Sequence, residues 1–259
     1  MKQLLLLLRV SKPQYNEFLY SQKMVYMNPQ LFFDNKSGLL SGQLDELEGS
    51  LSDGPIQLFY STDNTKTWNY ITDASHVRKD NNAYIYCMYA VTYCESNYCR
   101  QNNKFYYKVP WEYISGVWQE GYELMVIKNT KEFLGALCAA ASEMMLPFQY
   151  GMVEYDLQER QKEMDYISRA SVNPFLSVFH KVKDPYCVQK EFRFAIIPPN
   201  HPDHYELWLK SNTRIDVSLF TLNYGRDILI EISDLEFDAD GQRIRASSAI
   251  NFYESEIVH

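Results

Sequence analysis

Positive charge is scarce in this 259-residue chain: 25 Lys and Arg stand against 33 Asp and Glu, a formal net charge of −8. That balance opposes a broad electrostatic grip on nucleic-acid phosphates or anionic lipid, and leaves only a local patch as a route to either. Glycine and proline are few, 10 of each, so no low-complexity tract or evident linker divides the chain, and one domain over residues 1–259 is expected. The five cysteines (Cys87, Cys94, Cys99, Cys138 and Cys187) are odd in number and show no C-x-x-C spacing. They point to neither a disulfide framework nor a zinc site, and to reduced thiols in a cytoplasm.

Other absences narrow the chemistry. The five leucines Leu4 to Leu8 fall short of a signal-peptide core, no small-residue cleavage site follows, and no later stretch approaches the roughly 20 residues of a membrane span. Neither a leader nor a membrane partner is expected. The chain holds no G-x-x-x-x-G-K, G-x-G-x-x-G, G-x-S-x-G or H-E-x-x-H pattern, which removes the common nucleotide triphosphatase, Rossmann, α/β-hydrolase and zincin readings. His201 and His204 sit in a polar loop sequence, and no metal is expected.

What is present reads as a mixed α+β fold without repeats. The leucine run suits a strand buried on both faces, followed by Ser11-Lys12-Pro13 as a helix start through about residue 22. A second strand follows at 24–27. Residues 34–53, with Gly38, Gly42, Gly49 and the acidic Asp45-Glu46-Leu47-Glu48, read as a long loop, a kind of segment that often carries function. Further strands are expected at 56–60, 68–72, 83–93, 122–127 and 149–155, and across the C-terminal third at 205–209, 217–222, 228–232 and 249–253. Asn129 can cap a helix whose apolar set Phe133, Leu134, Leu137, Cys138 and Ala141 recurs at helical spacing, with Glu132 at the capping-box position. A charged run at 158–169 and an apolar one at 174–180 suggest two more helical segments. The 21 tyrosines suit half-buried strand positions as well as a stacking surface.

The most informative segment runs from Tyr186 to Ile197. Strand alternation would place Gln189, Glu191 and Arg193 on one face and Phe192 and Phe194 on the other. A carboxylate there, with an amide roughly 6 to 7 Å before it, can stabilise a developing positive charge and orient a nucleophile. The plainer alternative is a strand face carrying a local Glu191–Arg193 ion pair.

Tyr26-Met27-Asn28 with Phe32-Phe33, then Asp45-Glu46-Leu47-Glu48-Gly49, then Tyr84-Ile85-Tyr86-Cys87-Met88-Tyr89, then Gln189-Lys190-Glu191-Phe192-Arg193-Phe194 occur in an order that resembles a family of bacterial and phage-associated proteins with an ADP-ribosyltransferase layout. The resemblance spans the chain up to about residue 197. It implies an ADP-ribosyltransferase-like mixed β-sheet core with flanking helices, and NAD as a substrate. It also implies a role as a toxin or phage-defence effector, with an RNA, DNA or protein acceptor and an antitoxin as a possible partner. Glu191 would match the catalytic glutamate and Gln189 the position that orients the acceptor. Arg9 would match the first-strand base that contacts cofactor phosphate or ribose, a task suited to a guanidinium. Tyr26 or Asn28 would supply a nicotinamide-side contact, and Phe33 or Tyr89 a stacking surface. The sequence departs from that pattern in lacking a Ser-Thr-Ser signature on a middle strand, so the middle motif is unassigned. A non-enzymatic nucleotide- or protein-binding module on the same fold is the alternative.

Overall fold

The computed structural model describes residues 2–33, 56–60, 69–74, 82–92, 98–101, 104–155, 173–179, 181, 190–232, 235–237, 244–246 and 250–252. The expected loop at 34–53, the charged segment at 158–169 and Gln189 lie outside them. In chain order the elements are β1 (Lys2–Ser11), α1 (Pro13–Gln22), β2 (Met24–Pro29), a 3-10 turn (Gln30–Phe33), β3 (Ile56–Tyr60), β4 (Asn69–Ala74), β5 (Tyr84–Thr92), β6 (Tyr98–Gln101), β7 (Lys104–Val109), α2 (Trp111–Ser115), β8 (Glu123–Ile127), α3 (Thr130–Glu143) and β9 (Phe148–Met152). After a second 3-10 turn (Leu176–Phe179) come β10 (Glu191–Ile196), β11 (Tyr205–Trp208), β12 (Val217–Thr221), β13 (Ile228–Ile232), β14 (Leu235–Phe237), β15 (Ile244–Ala246) and β16 (Ile250–Phe252). The chain is a mixed α+β protein with antiparallel ladders. No helix among the described residues is long and apolar enough to cross a membrane.

The leucine run behaves as its apolarity demands. Leu4 and Leu7 enter one buried cluster and Leu6 and Leu8 another, with a register shift between Leu4 and Leu6. A bulge of this kind re-aims side chains without ending the strand. On one face of the central sheet, α3 contributes Phe133, Leu134 and Leu137 to a core with Leu7, Met125, Phe192 and Phe194. On the other, Tyr107 and Val109 of β7, Ile230 of β13 and Ile114 of α2 cover Leu8, Tyr89, Val91, Leu124 and Val126. Fully burying each such side chain contributes about 1.5–3 kcal/mol, so both faces of the sheet are strongly specified.

The caps differ from the sequence expectation in detail. Lys12, not Ser11, is the N-cap of α1, and Pro13 begins the helix where a missing N–H costs nothing. Ser11 Oγ instead donates to Asn16 Oδ1 at 2.6 Å. Asn129 does precede α3, but its side chain holds another segment: Nδ2 donates to the Arg214 carbonyl and Oδ1 accepts from the Asp216 N–H, both at 2.8 Å. A tertiary bond has displaced the local cap.

The feature that shapes the site is a split in the sheet beside β5. β10 runs along one edge of β5, from Glu191 opposite Tyr89 to Ile196 opposite Tyr84. The other edge is shared. β1 pairs with its second half, ending at Leu8 opposite Tyr89, and β2 with its start, Asn28 opposite Ile85 and Pro29 opposite Tyr84. Between these ladders, Tyr86, Cys87 and Met88 pair with neither strand. Beyond the split β1 turns to β8 and β2 to β11, so the two diverge, joined by α1.

Candidate functional site

A cavity of about 420 Å³ opens at the split. Its floor is β5, through Ile85, Cys87, Met88 and Tyr89. β1 and the start of α1 supply Arg9, Ser11, Lys12 and Tyr15, β2 supplies Tyr26 and Asn28, and α2 and the loop after it supply Tyr113, Val117 and Tyr122. Lys181, Glu191 and Arg193 close the remaining side. A volume in this range, with apolar walls and a few polar groups, suits a small-molecule site.

Five residues expected from the sequence therefore gather at one place: Arg9, Tyr26, Asn28, Tyr89 and Glu191. Phe33 ends the first 3-10 turn, and its neighbour Phe32 borders the cavity. Lys12, Tyr15, Tyr113, Tyr122 and Lys181 were not anticipated as site residues: the elements expected around Lys12, Tyr15 and Tyr122 say nothing of a cavity, and all five reach the site only through the fold.

Arg9 and Glu191 approach the cavity from opposite faces of the sheet. Leu8, Tyr89 and Glu191 form one row across β1, β5 and β10. Arg9 is the next residue along, so alternation turns it to the other face. There its guanidinium lies over the Tyr86 ring, 4.1 Å from the centroid. Cys87 stands between the two functional side chains. Its carbonyl accepts from Arg9 Nη1 at 3.4 Å, and its thiol hydrogen-bonds Glu191. Arg9 Nε is buried without a hydrogen-bond partner, a donor left open at the split.

Glu191 is held firmly. Oε1 accepts from Arg193 Nε at 2.8 Å, and Oε2 from Lys181 Nζ at 3.0 Å and Arg193 Nη2 at 3.3 Å. Arg193, only 1% exposed, also donates from Nη1 to the Val178 carbonyl, which ties the second 3-10 turn to β10. The plain expectation of a local Glu–Arg pair is thus met, but in the interior. Burial pushes the Glu191 carboxyl up, and the charges of Arg193 and Lys181 outweigh that and hold it well below its ordinary value. The same carboxylate acts on its neighbours. Burial and then the Glu191 charge push the Cys87 thiol and the Tyr155 phenol up, so both stay protonated and Cys87 is no thiolate nucleophile. The Tyr155 hydroxyl meets the Glu191 N–H at 3.3 Å.

The strand carrying Glu191 begins at Glu191 itself. Lys190 is left-handed, φ 41°, and its carbonyl accepts from the Ala90 N–H at 2.9 Å while its ammonium sits 5.3 Å from the Tyr113 ring centroid. A left-handed residue breaks strand alternation, so the shared face expected for Gln189 and Glu191 does not follow from the pattern. Aromatic stacking lines the mouth: Tyr26 lies on His204 at 4.7 Å and beside Tyr15 at 5.7 Å, and Tyr89 stacks on Tyr113 at 5.7 Å.

Among the described lining residues four are cations, Arg9, Lys12, Lys181 and Arg193, and one is an anion, Glu191. In a chain of net charge −8 this is a local reversal of sign that favours an anionic ligand, with ring faces to hold a planar group. Comparison with protein-family models, with curated proteins and with solved structures gives no match.

Proposed function

We propose that the cleft binds NAD and that the chain is an NAD-dependent ADP-ribosyltransferase acting on a nucleic-acid or protein acceptor, as a toxin or phage-defence effector. The observation that carries the reading is the convergence of Arg9 from the first strand and Glu191 from a late strand on one cavity, with Tyr26, Asn28 and Tyr89 around them. The ADP-ribosyltransferase-like layout of the sheet belongs to the same proposal. Arg9 and Lys12 would hold the pyrophosphate, a guanidinium offering paired donors to phosphate oxygens. The tyrosine faces would stack on the nicotinamide or the adenine.

In the reaction the bond between ribose C1′ and the nicotinamide nitrogen breaks, its electron pair leaving with nicotinamide, which becomes neutral. The ribose is left with oxocarbenium character. An acceptor oxygen or nitrogen then bonds to C1′ and releases a proton to solvent. Glu191, ionised at neutral pH, would accept a ribose hydroxyl hydrogen bond and offset the developing charge. Incubation of the protein with labelled NAD and cell extract is expected to label a macromolecule. Glu191→Gln, which keeps the size of the side chain, is expected to reduce labelling at least a hundredfold, in line with the loss of one preorganised electrostatic group. Equal labelling by a folded Glu191→Gln protein sinks the assignment.

A second reading is favoured by one observation. Both oxygens of Glu191 are already engaged by two cations, which leaves the cleft a net anion binder. A non-enzymatic nucleotide-binding module would bind ADP or NAD at this site and release no nicotinamide. Calorimetric binding alongside a nicotinamide-release assay separates the two.

A further inference from the structure

We propose that the wall formed by Tyr26 and His204 is the adenosine end of the cofactor site, and that Glu206 and Asp203 determine specificity there. They accept the hydroxyls of the adenosine ribose and repel a phosphate on it, so NAD is taken and NADP is rejected. The inference rests on the NAD reading above and deepens it.

The cleft has two aromatic walls, on opposite banks of the split. One is Tyr89 with Tyr113 stacked on it at 5.7 Å, in the half of β5 that pairs with β1. Glu191 stands opposite Tyr89 in the ladder of β5 and β10, so the scissile bond and the nicotinamide belong at this wall. The other is Tyr26 on β2, stacked on His204 at 4.7 Å and flanked by Tyr15 at 5.7 Å and Phe18 at 6.3 Å. The chain passes from the first wall to the second through two cations. Leu8 faces Tyr89, Arg9 and Lys12 follow in the cavity lining, and one helical turn later Tyr15 lies beside Tyr26. Ring, cations, ring is the order that a dinucleotide presents as base, pyrophosphate, base.

The walls differ in charge. At the first, the Lys190 ammonium lies 5.3 Å from the Tyr113 ring centroid, and Lys181 and Arg193 surround Glu191. At the second, Glu206 faces Tyr26 across the ladder of β2 and β11, with its Oε1 3.8 Å from His204 Nε2. Burial first, then Tyr15, then the charges of Glu206 and Asp203 push the Tyr26 phenol up. Among the described residues, both charged groups acting on that hydroxyl are thus carboxylates. The cleft favours phosphate at its centre and opposes it at this outer end. A carboxylate accepts hydrogen bonds from ribose hydroxyls and repels a phosphate in their place, whereas a cation does the reverse. The Glu206 side chain is 44% exposed and acts through water, so its discrimination weakens with salt. Tyr26 then serves the adenosine end and not the nicotinamide end that the resemblance implies.

The test measures nicotinamide release from NAD, NADP and nicotinamide mononucleotide by the full chain and by Glu206→Lys. With water as the acceptor, the C1′–N bond breaks with its electrons going to nicotinamide, and water supplies the hydroxyl on C1′ and a proton to solvent. The wild type is expected to prefer NAD over NADP at least tenfold in kcat/KM, a preference that shrinks several-fold between about 0.05 and 0.5 M salt. Glu206→Lys is expected to lower KM for NADP about tenfold, raise KM for NAD a few-fold, and hold both kcat values within about twofold, since the change lies away from the reacting bond. Nicotinamide mononucleotide ends at its phosphate, short of this wall, and a gain in its turnover equal to that with NADP overturns the assignment. Glu206→Gln combined with Asp203→Asn serves as a second, neutral variant should the first fail to fold by circular dichroism. Should the wild type bind without cleaving, calorimetric Kd values for NAD and NADP carry the same comparison. Equal use of the two dinucleotides by the wild type, or an unchanged KM for NADP in a folded variant, overturns the inference and leaves the NAD reading standing. A wild type that neither binds nor cleaves NAD overturns both.

Discussion

Arg193 shows how much one position can hide. The alternation of Glu191 and Arg193 along a strand was plain in the sequence, and so was their pairing. Their depth was not, because burial depends on the second 3-10 turn and on β9, which close over this part of β10 from distant parts of the chain. A charge pair read as surface would be worth almost nothing, whereas breaking a buried one costs about 3–5 kcal/mol. Arg193→Met is therefore expected to lower unfolding free energy by about 3 kcal/mol in urea titration, even with Lys181 still beside Glu191. A loss under about 1 kcal/mol would show that the pair contributes no more than an exposed one. Lys181 was illegible for a simpler reason: it stands ten positions before Glu191 with no period or motif to link them.

At the scale of elements, periodicity was a sound guide where one force dominated. β8, α3 and β11 through β13 lie where side-chain spacing put them, β1 where the uninterrupted leucine run did, and α1 where the Ser11-Lys12-Pro13 start did. The hairpin of β6 and β7 was not foreseen. Phe105, Tyr107 and Val109 do alternate with Tyr106 and Lys108, but lysine and tyrosine dilute the contrast on which the period rests. Within the apolar segment at 174–180 the described residues form a 3-10 turn at Leu176–Phe179, with Phe175, Val178 and Phe179 packed against Ala83, Ile85 and Ala195. The start of β10 was placed early, because a left-handed lysine gives no signal in composition. That conformation has a measurable cost, about 1–2 kcal/mol for a residue with a Cβ. Lys190→Gly is expected to leave the thermal midpoint unchanged or higher, since relief of strain offsets the lost contact with Tyr113. Lys190→Val is expected to lower it by several degrees, as a β-branched side chain tolerates positive φ least. Equal midpoints for the two variants would remove backbone strain as the cause.

For the whole molecule, a chain of net charge −8 gathers cations around a cavity and, among the described residues that line it, buries a single carboxylate with them. Acid stability follows from that carboxylate. The Glu191 carboxyl lies below its ordinary 4.5 in the folded state, so its stabilising contribution is complete above about that pH and drains away as the pH falls further. Urea midpoints measured between pH 7 and pH 3 are expected to hold level down to about 5 and then fall. In Glu191→Gln, already weaker at neutral pH, the decline should be shallower. Parallel curves would mean that other carboxylates carry the acid transition.

The divided edge of β5 has one more consequence. Because Tyr86, Cys87 and Met88 pair in no ladder with β1 or β2 and are bridged to β1 only through the Arg9 side chain, the gap can be widened without breaking a ladder hydrogen bond. What spans it is α1, packed against β2 on one side and β8 on the other, with Leu19 and Asn16 buried beneath. Tyr15 is the α1 side chain in the cavity lining, so the bore of the cleft can be retuned by substitution there with every strand left where it is.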